Sequence, residues 1–273
     1  MLKKRLITSL WALVLIIAAV WFSRPDYWFP GFTILAAVVG VLAVWEFYRL
    51  VGVSKVLPLA LCGTALTLLF IITPQLHWDI NVSLVSLFVT AAIALPMILV
   101  LFLPRQEGLF RLWAWTLTGV LYIGWFISYL VTLRIDGGRN WLFLALFVTF
   151  ASDTAAYFIG KAIGKHKMAP AISPGKTWEG AVAGLVGAAI VSYLFTLSTP
   201  VQVPLSALSA IVLGLLVSVF SQLGDLAESM LKRGTGVKDS GNLMPGHGGI
   251  LDRLDSILFA GVTVYLYYMF VFL

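Results

Sequence analysis

Nine long apolar runs, separated by short polar segments, constrain this chain more than any other feature of its sequence. A helix needs about 20 mostly apolar residues to cross the hydrocarbon core of a bilayer. Hydrophobic residues make up 60% of the chain and charged residues 11%. The sequence therefore predicts an all-α polytopic membrane protein with about nine transmembrane helices. The runs are 6–22, 28–48, 56–73, 80–103, 110–132, 141–160, 178–198, 203–226 and 254–272.

The lysine and arginine residues indicate an orientation, because these residues collect in cytoplasmic loops near helix ends. If the N-terminus is cytoplasmic, 15 of the 18 Lys and Arg residues fall on the cytoplasmic side. The other three, Arg24, Arg134 and Arg139, fall outside. Nine spans then place the C-terminus outside.

The first run also has features of a secretory signal peptide. A basic segment, residues 3–5, precedes the apolar stretch, and two small residues stand at 18–19. Trp21 and Phe22 follow at once and are more typical of an aromatic belt at a membrane interface. We interpret the run as a helix of the mature protein, and the lack of an organellar targeting segment favours a bacterial inner membrane.

The acidic residues divide a single membrane domain, residues 1–273, into two functional parts. Charged groups at membrane depth are costly and persist mainly where they pair or do chemistry. Residues 1–140 are predicted to be mainly scaffold helices, because their acids stand at predicted helix ends or in loops, as solvated caps. Residues 141–273, with Asp153 about 18 Å along its helix, are predicted to form the catalytic helices and cytoplasmic loops. The acids of the first part are Asp26, Glu46, Asp79, Glu107 and Asp136.

One helical face carries four polar residues near the end of the eighth run. Ser221, Asp225, Glu228 and Lys232 recur at spacings of four, three and four, which places them on one side of a helix. An ion pair between Glu228 and Lys232 on a helix emerging into water explains part of this pattern. It does not explain Asp225 among apolar neighbours.

A glycine-rich segment precedes the ninth run. Gly248 and Gly249 allow the backbone to approach an anion closely, and a helix that begins here offers free N–H groups. Asp252 and Asp255 are three residues apart and share a face. Alternatively, these aspartates are caps that interact favourably with the helix dipole.

Asp225 and Asp252 stand at two helix ends on opposite sides of one short loop, so a fold can bring them together. Their carboxylates are hard oxygen ligands that suit Mg²⁺, which also binds phosphate oxygens. We therefore take both as candidate metal ligands.

His247 can donate to an oxygen or shuttle a proton. The cations expected to hold phosphate charge are Lys232, Arg233, Lys238 and Arg253.

Residues 160–180 form a second polar loop on the same side. The SPGKT segment within it lacks the spacing of a phosphate-binding P-loop and follows no strand. Lys165 and Lys167 are alternatively residues attracted to anionic lipid headgroups. Lys176, with Thr177 and Glu179, is predicted to stand at the start of a helix, where an anion is favoured. Together the two loops predict a metal-assisted reaction on phosphates at the cytoplasmic membrane surface, with a lipid as substrate.

Residues 229–255 also carry a longer pattern: Ser229-x-x-Lys232-Arg233, then Lys238-Asp239, then Pro245-Gly246-His247-Gly248-Gly249-x-x-Asp252-Arg253-x-Asp255. This pattern resembles the signature of CDP-diacylglycerol synthases, also called phosphatidate cytidylyltransferases. SDTAAYFIGKAIGKHK at 152–167 and SPGKTWEG at 173–180 resemble further segments of that family. The resemblance covers roughly residues 150–256.

The resemblance implies the transfer of CMP from CTP to phosphatidic acid, giving CDP-diacylglycerol and pyrophosphate, with a requirement for Mg²⁺. It implies CTP, phosphatidic acid and the bilayer as partners, and no nucleic acid. The implied catalytic residues are Asp225, Asp252, His247 and Lys238. The implied substrate-binding and phosphate-binding residues are Ser173, Lys176, Thr177, Ser229, Lys232, Arg233, Asp239, Gly248, Gly249 and Arg253. A polar network is assigned to Asp153, Glu179, Glu228 and Asp255.

Three points stay open at this stage. Asp153 is either a ligand or a member of a structural ion pair, with Lys161 or Lys176 as its partner. His247 or Asp239 orients a phosphate rather than removing a proton, because a phosphate monoester is already a nucleophile. Homodimers are common among polytopic enzymes, and Gly184, Gly187 and Ala188 are small enough to line a contact between helices.

Two other classes of protein share some of these features. A CDP-alcohol phosphotransferase also uses aspartates and Mg²⁺ in a membrane, but its D-G-x-x-A-R…G-x-x-x-D-x-x-x-D pattern is absent from the sequence. A secondary transporter could use acids within the membrane. It predicts inverted repeats and polar residues in both halves, which the apolar first half does not favour.

Overall fold

Helices dominate the structure, a computed structural model that describes residues 2–23, 31–76, 82–104, 108–197, 199–241, 243 and 248–272, with the backbone alone at 2–10, 12 and 82–84. Each of the nine predicted runs corresponds to a helix, where α5, a π-helical segment Val120–Trp125 and α6 count as one. The helices are α1 Leu2–Phe22, α2 Gly31–Val51, α3 Leu57–Ile72, α4 Val82–Leu101, α5 Leu109–Gly119, α6 Phe126–Asp136, α7 Arg139–Ile163, α8 Trp178–Leu194, α9 Ala207–Gly234 and α10 Leu251–Phe272.

Six of these helical segments are long and apolar enough to cross a membrane, judged over the described residues. Over the residues with described side chains, three shorter apolar stretches follow, namely Leu13–Phe22 within α1, Val85–Leu101 within α4, and α8, Trp178–Leu194. The chain is therefore a multi-pass, helical membrane protein. The count of nine spans and the orientation of the two termini stay predictions.

A short β-hairpin interrupts the helices on the segment predicted to be a polar loop. Strands β1 Lys167–Ala169 and β2 Ser173–Thr177 pair in antiparallel register. These strands are short and polar and show no regular alternation, so the sequence pattern does not predict them. Helix α8 begins directly after β2, at the position predicted for a helix start.

The chain divides into two compact units. The first consists of Met1–Ile135 and Asp239–Asp252, and the second of Asp136–Lys238 and Arg253–Leu273. The signature segment is thus split, with residues 239–252 in the first unit. The description of the chain as one membrane domain stays a prediction.

In the first unit, α3 packs against α2, α4 and the π-helical segment. A cluster of buried side chains lies between α3, α4 and this segment and contains Leu66, Phe70, Phe88, Ala92 and Val120. Tyr48 of α2 is also fully buried, and its hydroxyl donates to the carbonyl of Thr116, 3.0 Å away. This apolar packing fixes α2. The same helix carries Glu46, two residues before Tyr48.

In the second unit, small residues bring α7, α8 and α9 into close contact. A Cβ at Gly187 would lie 2.9 Å from the Ala155 side chain, and one at Gly184 would lie 3.1 Å from the Ser152 carbonyl. Ala188 faces α9, because a Cβ at Gly214 would lie 2.7 Å from its carbonyl oxygen. These small residues therefore form helix contacts within one chain. They do not support a contact between two chains, and a homodimer stays a prediction.

Candidate active site

In the first unit, Asp252 closes the loop that precedes α10. Its carboxylate accepts hydrogen bonds from the backbone N–H of Ser240, 3.1 Å from both oxygens, and of Gly249, 2.8 Å from Oδ2. Asp252 lies in the first turn of α10, where the helix dipole favours an anion. Asp252 is therefore a favourable partner of the helix dipole, while its hydrogen bonds go to loop residues that precede α10. A role in metal binding stays a prediction.

The two glycines of the loop approach carboxylates of this chain. Gly248 has a φ of 84°, which L side chains rarely adopt, and a Cβ there would lie 2.5 Å from Asp252 Oδ2. A Cβ at Gly249 would overlap Ser240 Oγ and Glu46 Oε2. Glycine is thus required for the loop to close around these groups. Contact of the two glycines with a phosphate stays a prediction.

Of the acids predicted to be solvated caps, Asp26, Asp79 and Glu107 lie outside the described residues, and Asp136 is exposed. The prediction fails at Glu46. Glu46 is only 2% exposed, so the interpretation as a solvated cap is wrong. Its Oε2 accepts from the N–H of Leu251 at 3.0 Å and from the hydroxyl of Ser240 at 3.3 Å. A signal was present, since Glu46 lies near the C-terminal end of an apolar helix, where the dipole disfavours an acid as a cap.

In the second unit, Asp225 forms the centre of a group of polar side chains. Lys176 Nζ lies 2.8 Å from Asp225 Oδ2 and also donates to the Gln222 carbonyl at 3.3 Å. The hydroxyl of Ser229, one turn further along α9, donates to Asp225 Oδ1 at 3.4 Å. The hairpin and α9 thus meet through an ion pair that is about one third exposed at Asp225 and less at Lys176.

Two further aspartates lie beside Asp225. Asp153 on α7 interacts electrostatically with Asp225 and Lys176, and the Ser256 side chain hydrogen-bonds to it. Asp255 on α10 is buried, and it interacts electrostatically with both other aspartates. Its Oδ1 accepts from the backbone N–H of Ser256 at 2.7 Å. Three helices therefore bring three carboxylates together. Asp153 lies beside Lys176, while Lys161 lies over the ring of Tyr157.

Glu228 and Lys232 extend this group along α9. They form the predicted i,i+4 ion pair, with 2.5 Å between Oε2 and Nζ. Glu228 is completely buried, so this pair does not lie on a water-exposed face. Lys232 also interacts electrostatically with Asp255. We call the whole group the acidic cluster, with the members Asp153, Lys176, Asp225, Glu228, Lys232 and Asp255.

The acidic cluster has four carboxylates and two ammonium groups, an excess of two formal negative charges. Such an excess within membrane helices suits a divalent cation, and carboxylate oxygens are the ligands that Mg²⁺ prefers. Among the described residues, no three His, Cys, Asp or Glu side chains are already arranged as a metal site. Mg²⁺ often binds through one or two carboxylates and the phosphates of its substrate, so the cluster fits it chemically.

Other predicted site residues lie around the hairpin. The hydroxyl of Thr177 accepts from the N–H of Gly180 at 3.2 Å and caps α8. Arg233 Nε donates to the Ile172 carbonyl at 3.2 Å. Ser173, the first residue of β2, is half-buried.

Glu179 contacts His166, and its place in the predicted polar network stays a prediction. Its Oε1 lies 2.6 Å from Nδ1 of His166, and both carboxylate oxygens accept from the backbone N–H of the same histidine at 3.2 Å. The histidine is exposed. The described contacts of Glu179 therefore stabilise the hairpin.

The capping role of Thr177 gives a first prediction. Thr177→Val removes the acceptor while keeping the shape of the side chain, and it is expected to lower the free energy of unfolding by about 1 kcal/mol. The midpoint of thermal unfolding in detergent should fall by about 2–4 °C. Thr177→Ser keeps the hydroxyl and serves as the control. Equal midpoints for the two variants would show that the cap contributes nothing.

The remaining predicted residues lie at the surface or outside the described part. Lys238, Asp239 and Arg253 are exposed. His247 lies outside the described residues. Asp225 belongs to the second unit and Asp252 to the first, and their joint role as metal ligands stays a prediction.

Comparisons with known proteins cover the whole chain. The model of the Cytidylyltransferase family matches residues 3–271. A phosphatidate cytidylyltransferase of Bacillus subtilis (strain 168) is 34% identical, over 98% of this chain and 97% of that protein. The enzyme of the same name from Staphylococcus haemolyticus is 38% identical over 84% of this chain and 87% of its own length. That of Haemophilus influenzae is 30% identical over 99% of both.

Proposed function

Because this chain belongs to the cytidylyltransferase family, we propose that it transfers CMP from CTP to phosphatidic acid, giving CDP-diacylglycerol and pyrophosphate. The chain is a nucleotidyltransferase, as its relatives named phosphatidate cytidylyltransferase are. The observation that carries the proposal is the acidic cluster, which collects carboxylates and ammonium groups on membrane helices. A lipid phosphate and a triphosphate both need such groups near the bilayer surface.

The reaction requires positioning more than proton transfer. An oxygen of the phosphatidate phosphate attacks the α-phosphorus of CTP, the new P–O bond forms, and the bond between the α-phosphorus and the bridging oxygen breaks. Pyrophosphate leaves with the electron pair of that bond. Lys176 and Lys232 hold phosphate oxygens in this proposal, with Lys238, Arg233 and Arg253 as further cations. His247 or Asp239 orients a phosphate.

Mg²⁺ is the proposed cofactor. Asp225 would hold it, and Asp252 is the second ligand that the sequence predicts. Asp153 and Asp255 are the carboxylates that lie beside Asp225. The ion supplies neutralisation of the phosphates and of the leaving pyrophosphate. The chain itself supplies the fixed lysines and the serine hydroxyls of Ser229 and Ser256, which orient the carboxylates.

We place the enzyme in a bacterial inner membrane, with its site on the cytoplasmic side. The orientation rests on the distribution of Lys and Arg, and the bacterial source rests on relatives such as those of Bacillus and Haemophilus. CTP is a cytoplasmic metabolite, whereas phosphatidic acid lies in the membrane. A site at the cytoplasmic surface gives access to both.

The test is incorporation of labelled CTP into lipid by the purified full chain with phosphatidic acid. We expect CDP-diacylglycerol in the presence of Mg²⁺, and at least a hundredfold loss after chelation, because charge neutralisation contributes about 10²–10³ or more. Recovery on adding Mg²⁺ controls for irreversible damage. No product from folded protein with any nucleotide or divalent metal would overturn the proposal and favour a transport function.

A further inference from the structure

Two carboxylates of the first unit bind the same serine from different sides. The Ser240 N–H donates to Asp252, and the Ser240 hydroxyl donates to Glu46. Glu46 also accepts from the N–H of Leu251, the residue with which α10 begins. Asp252 is the next residue. Glu46 is therefore bonded to both chain segments that flank Asp252 in space.

Two glycines lie close to the Glu46 carboxylate. A Cβ at Gly241 would lie 2.7 Å from Glu46 Oε1, and one at Gly249 would overlap Oε2. The backbone of residues 240–241 and 249–251 thus lies directly on the carboxylate. An acid with 2% exposure is costly to bury unless its oxygens accept hydrogen bonds. Oε2 accepts from Leu251 and Ser240, whereas Oε1 is buried without a hydrogen-bond partner among the described residues.

We propose that Glu46 is a positioning residue that fixes the place of Asp252 and of residues 240–241 and 249–251 for the reaction. The proposal rests on the proposed function for its catalytic part. Glu46 reaches no substrate in this scheme and acts through Ser240 and Leu251. Outer groups that orient a metal ligand commonly contribute 10- to 100-fold to metal affinity or activity, which sets the scale of the expected effect.

The experiment compares three variants of the full chain in detergent. Glu46→Met removes both acceptor oxygens and keeps the volume. Glu46→Gln keeps one oxygen, which can accept from Leu251 and Ser240. Tyr48→Phe is the matched control, because it removes a buried hydrogen bond from the same helix at a residue that contacts Thr116.

The readouts are the Mg²⁺ concentration for half-maximal activity, kcat, and amide hydrogen exchange of residues 240 and 249–251. For Glu46→Met we expect a rise in the Mg²⁺ requirement of about tenfold, a fall in kcat of about 10- to 100-fold, and faster exchange. Glu46→Gln should stay within about threefold of wild type on both kinetic measures, a difference of about 0.7 kcal/mol or less. Tyr48→Phe should leave the Mg²⁺ requirement and the exchange of the loop unchanged.

A purely structural role for Glu46 would lower yield and thermal stability without changing the Mg²⁺ requirement of the folded fraction. Wild-type kinetics and exchange in Glu46→Met, or equal losses in Glu46→Met and Glu46→Gln, would overturn the proposal. If the wild type makes no CDP-diacylglycerol, the proposed function fails. The exchange measurement then decides alone whether Glu46 holds the loop.

Discussion

Replacing Asp225 by asparagine is expected to lower kcat by about 100- to 1,000-fold, the effect of removing one group that stabilises the transition state electrostatically. Asp225 contacts Lys176 and Ser229 and interacts electrostatically with Asp153 and Asp255. The neutral side chain halves the excess negative charge of the acidic cluster and removes one anionic oxygen ligand. The rate of CDP-diacylglycerol formation at saturating CTP and Mg²⁺ measures the effect.

A loss in Asp225→Asn alone does not separate catalysis from structure, because the substitution also leaves Lys176 without its carboxylate partner. The double variant Asp225→Asn with Lys176→Met removes both charges of the pair. If the pair only stabilises the contact between the hairpin and α9, the double variant regains thermal stability and activity together. We expect it to regain stability but to stay at least as inactive as Asp225→Asn.

Asp136→Asn is the control for the chemical change itself. Asp136 belongs to the same unit, is exposed, and accepts from the hydroxyl of Tyr265 at 3.2 Å. Its substitution should leave kcat within about twofold, a difference of about 0.4 kcal/mol. Restored activity in the double variant Asp225→Asn with Lys176→Met would show that Asp225 is not a catalytic residue and only forms a structural ion pair with Lys176.

The same test is less informative at Asp252. Its carboxylate accepts from Ser240 and Gly249, and an asparagine would place an amide group where one of these donors now points. Loss of activity in Asp252→Asn thus follows from a disturbed loop as well as from a lost metal ligand. This is why the Mg²⁺ requirement and amide exchange accompany activity in the experiments on the loop.

The positions of the helices could be predicted from the sequence because membrane insertion depends on local composition. A run of about 20 apolar residues has few alternatives to a helix in a bilayer, where backbone groups must bond within the segment. The hairpin at 167–177 could not be predicted in this way, since its three-residue and five-residue strands lie outside the apolar runs and depend on pairing with each other.

The site could be predicted only where spacing along one helix determines it. The ion pair between Glu228 and Lys232 follows from a separation of four residues. The pairing of Lys176 with Asp225 joins residues 49 positions apart, and it depends on how the hairpin lies against α9. Glu46 was missed for the same reason, because its partners Ser240 and Leu251 are about 200 residues away in the chain.

The contact between α9 and α10 yields the last prediction. A Cβ at Gly224 would lie 2.6 Å from the Asp255 carbonyl oxygen and 2.5 Å from the ring of Phe259. The Asp255 oxygen belongs to the backbone and cannot move aside as a flexible side chain can. Gly224→Ala is therefore expected to push α10 away from α9 and to displace Asp255 from Asp225.

Overpacking of this kind costs about 1–3 kcal/mol, and misplacement of a catalytic group by about 1 Å costs on the order of 100-fold in rate. We expect Gly224→Ala to lower kcat by about 10- to 100-fold and to lower the midpoint of thermal unfolding. Gly234→Ala is the matched control, since a Cβ at this last residue of α9 would meet nothing within 4 Å. It should keep full activity and raise stability by up to about 1 kcal/mol, because alanine favours a helix over glycine. Wild-type activity in Gly224→Ala would show that the close approach of α9 to Asp255 is not required, and the acidic cluster would then have to act without Asp255.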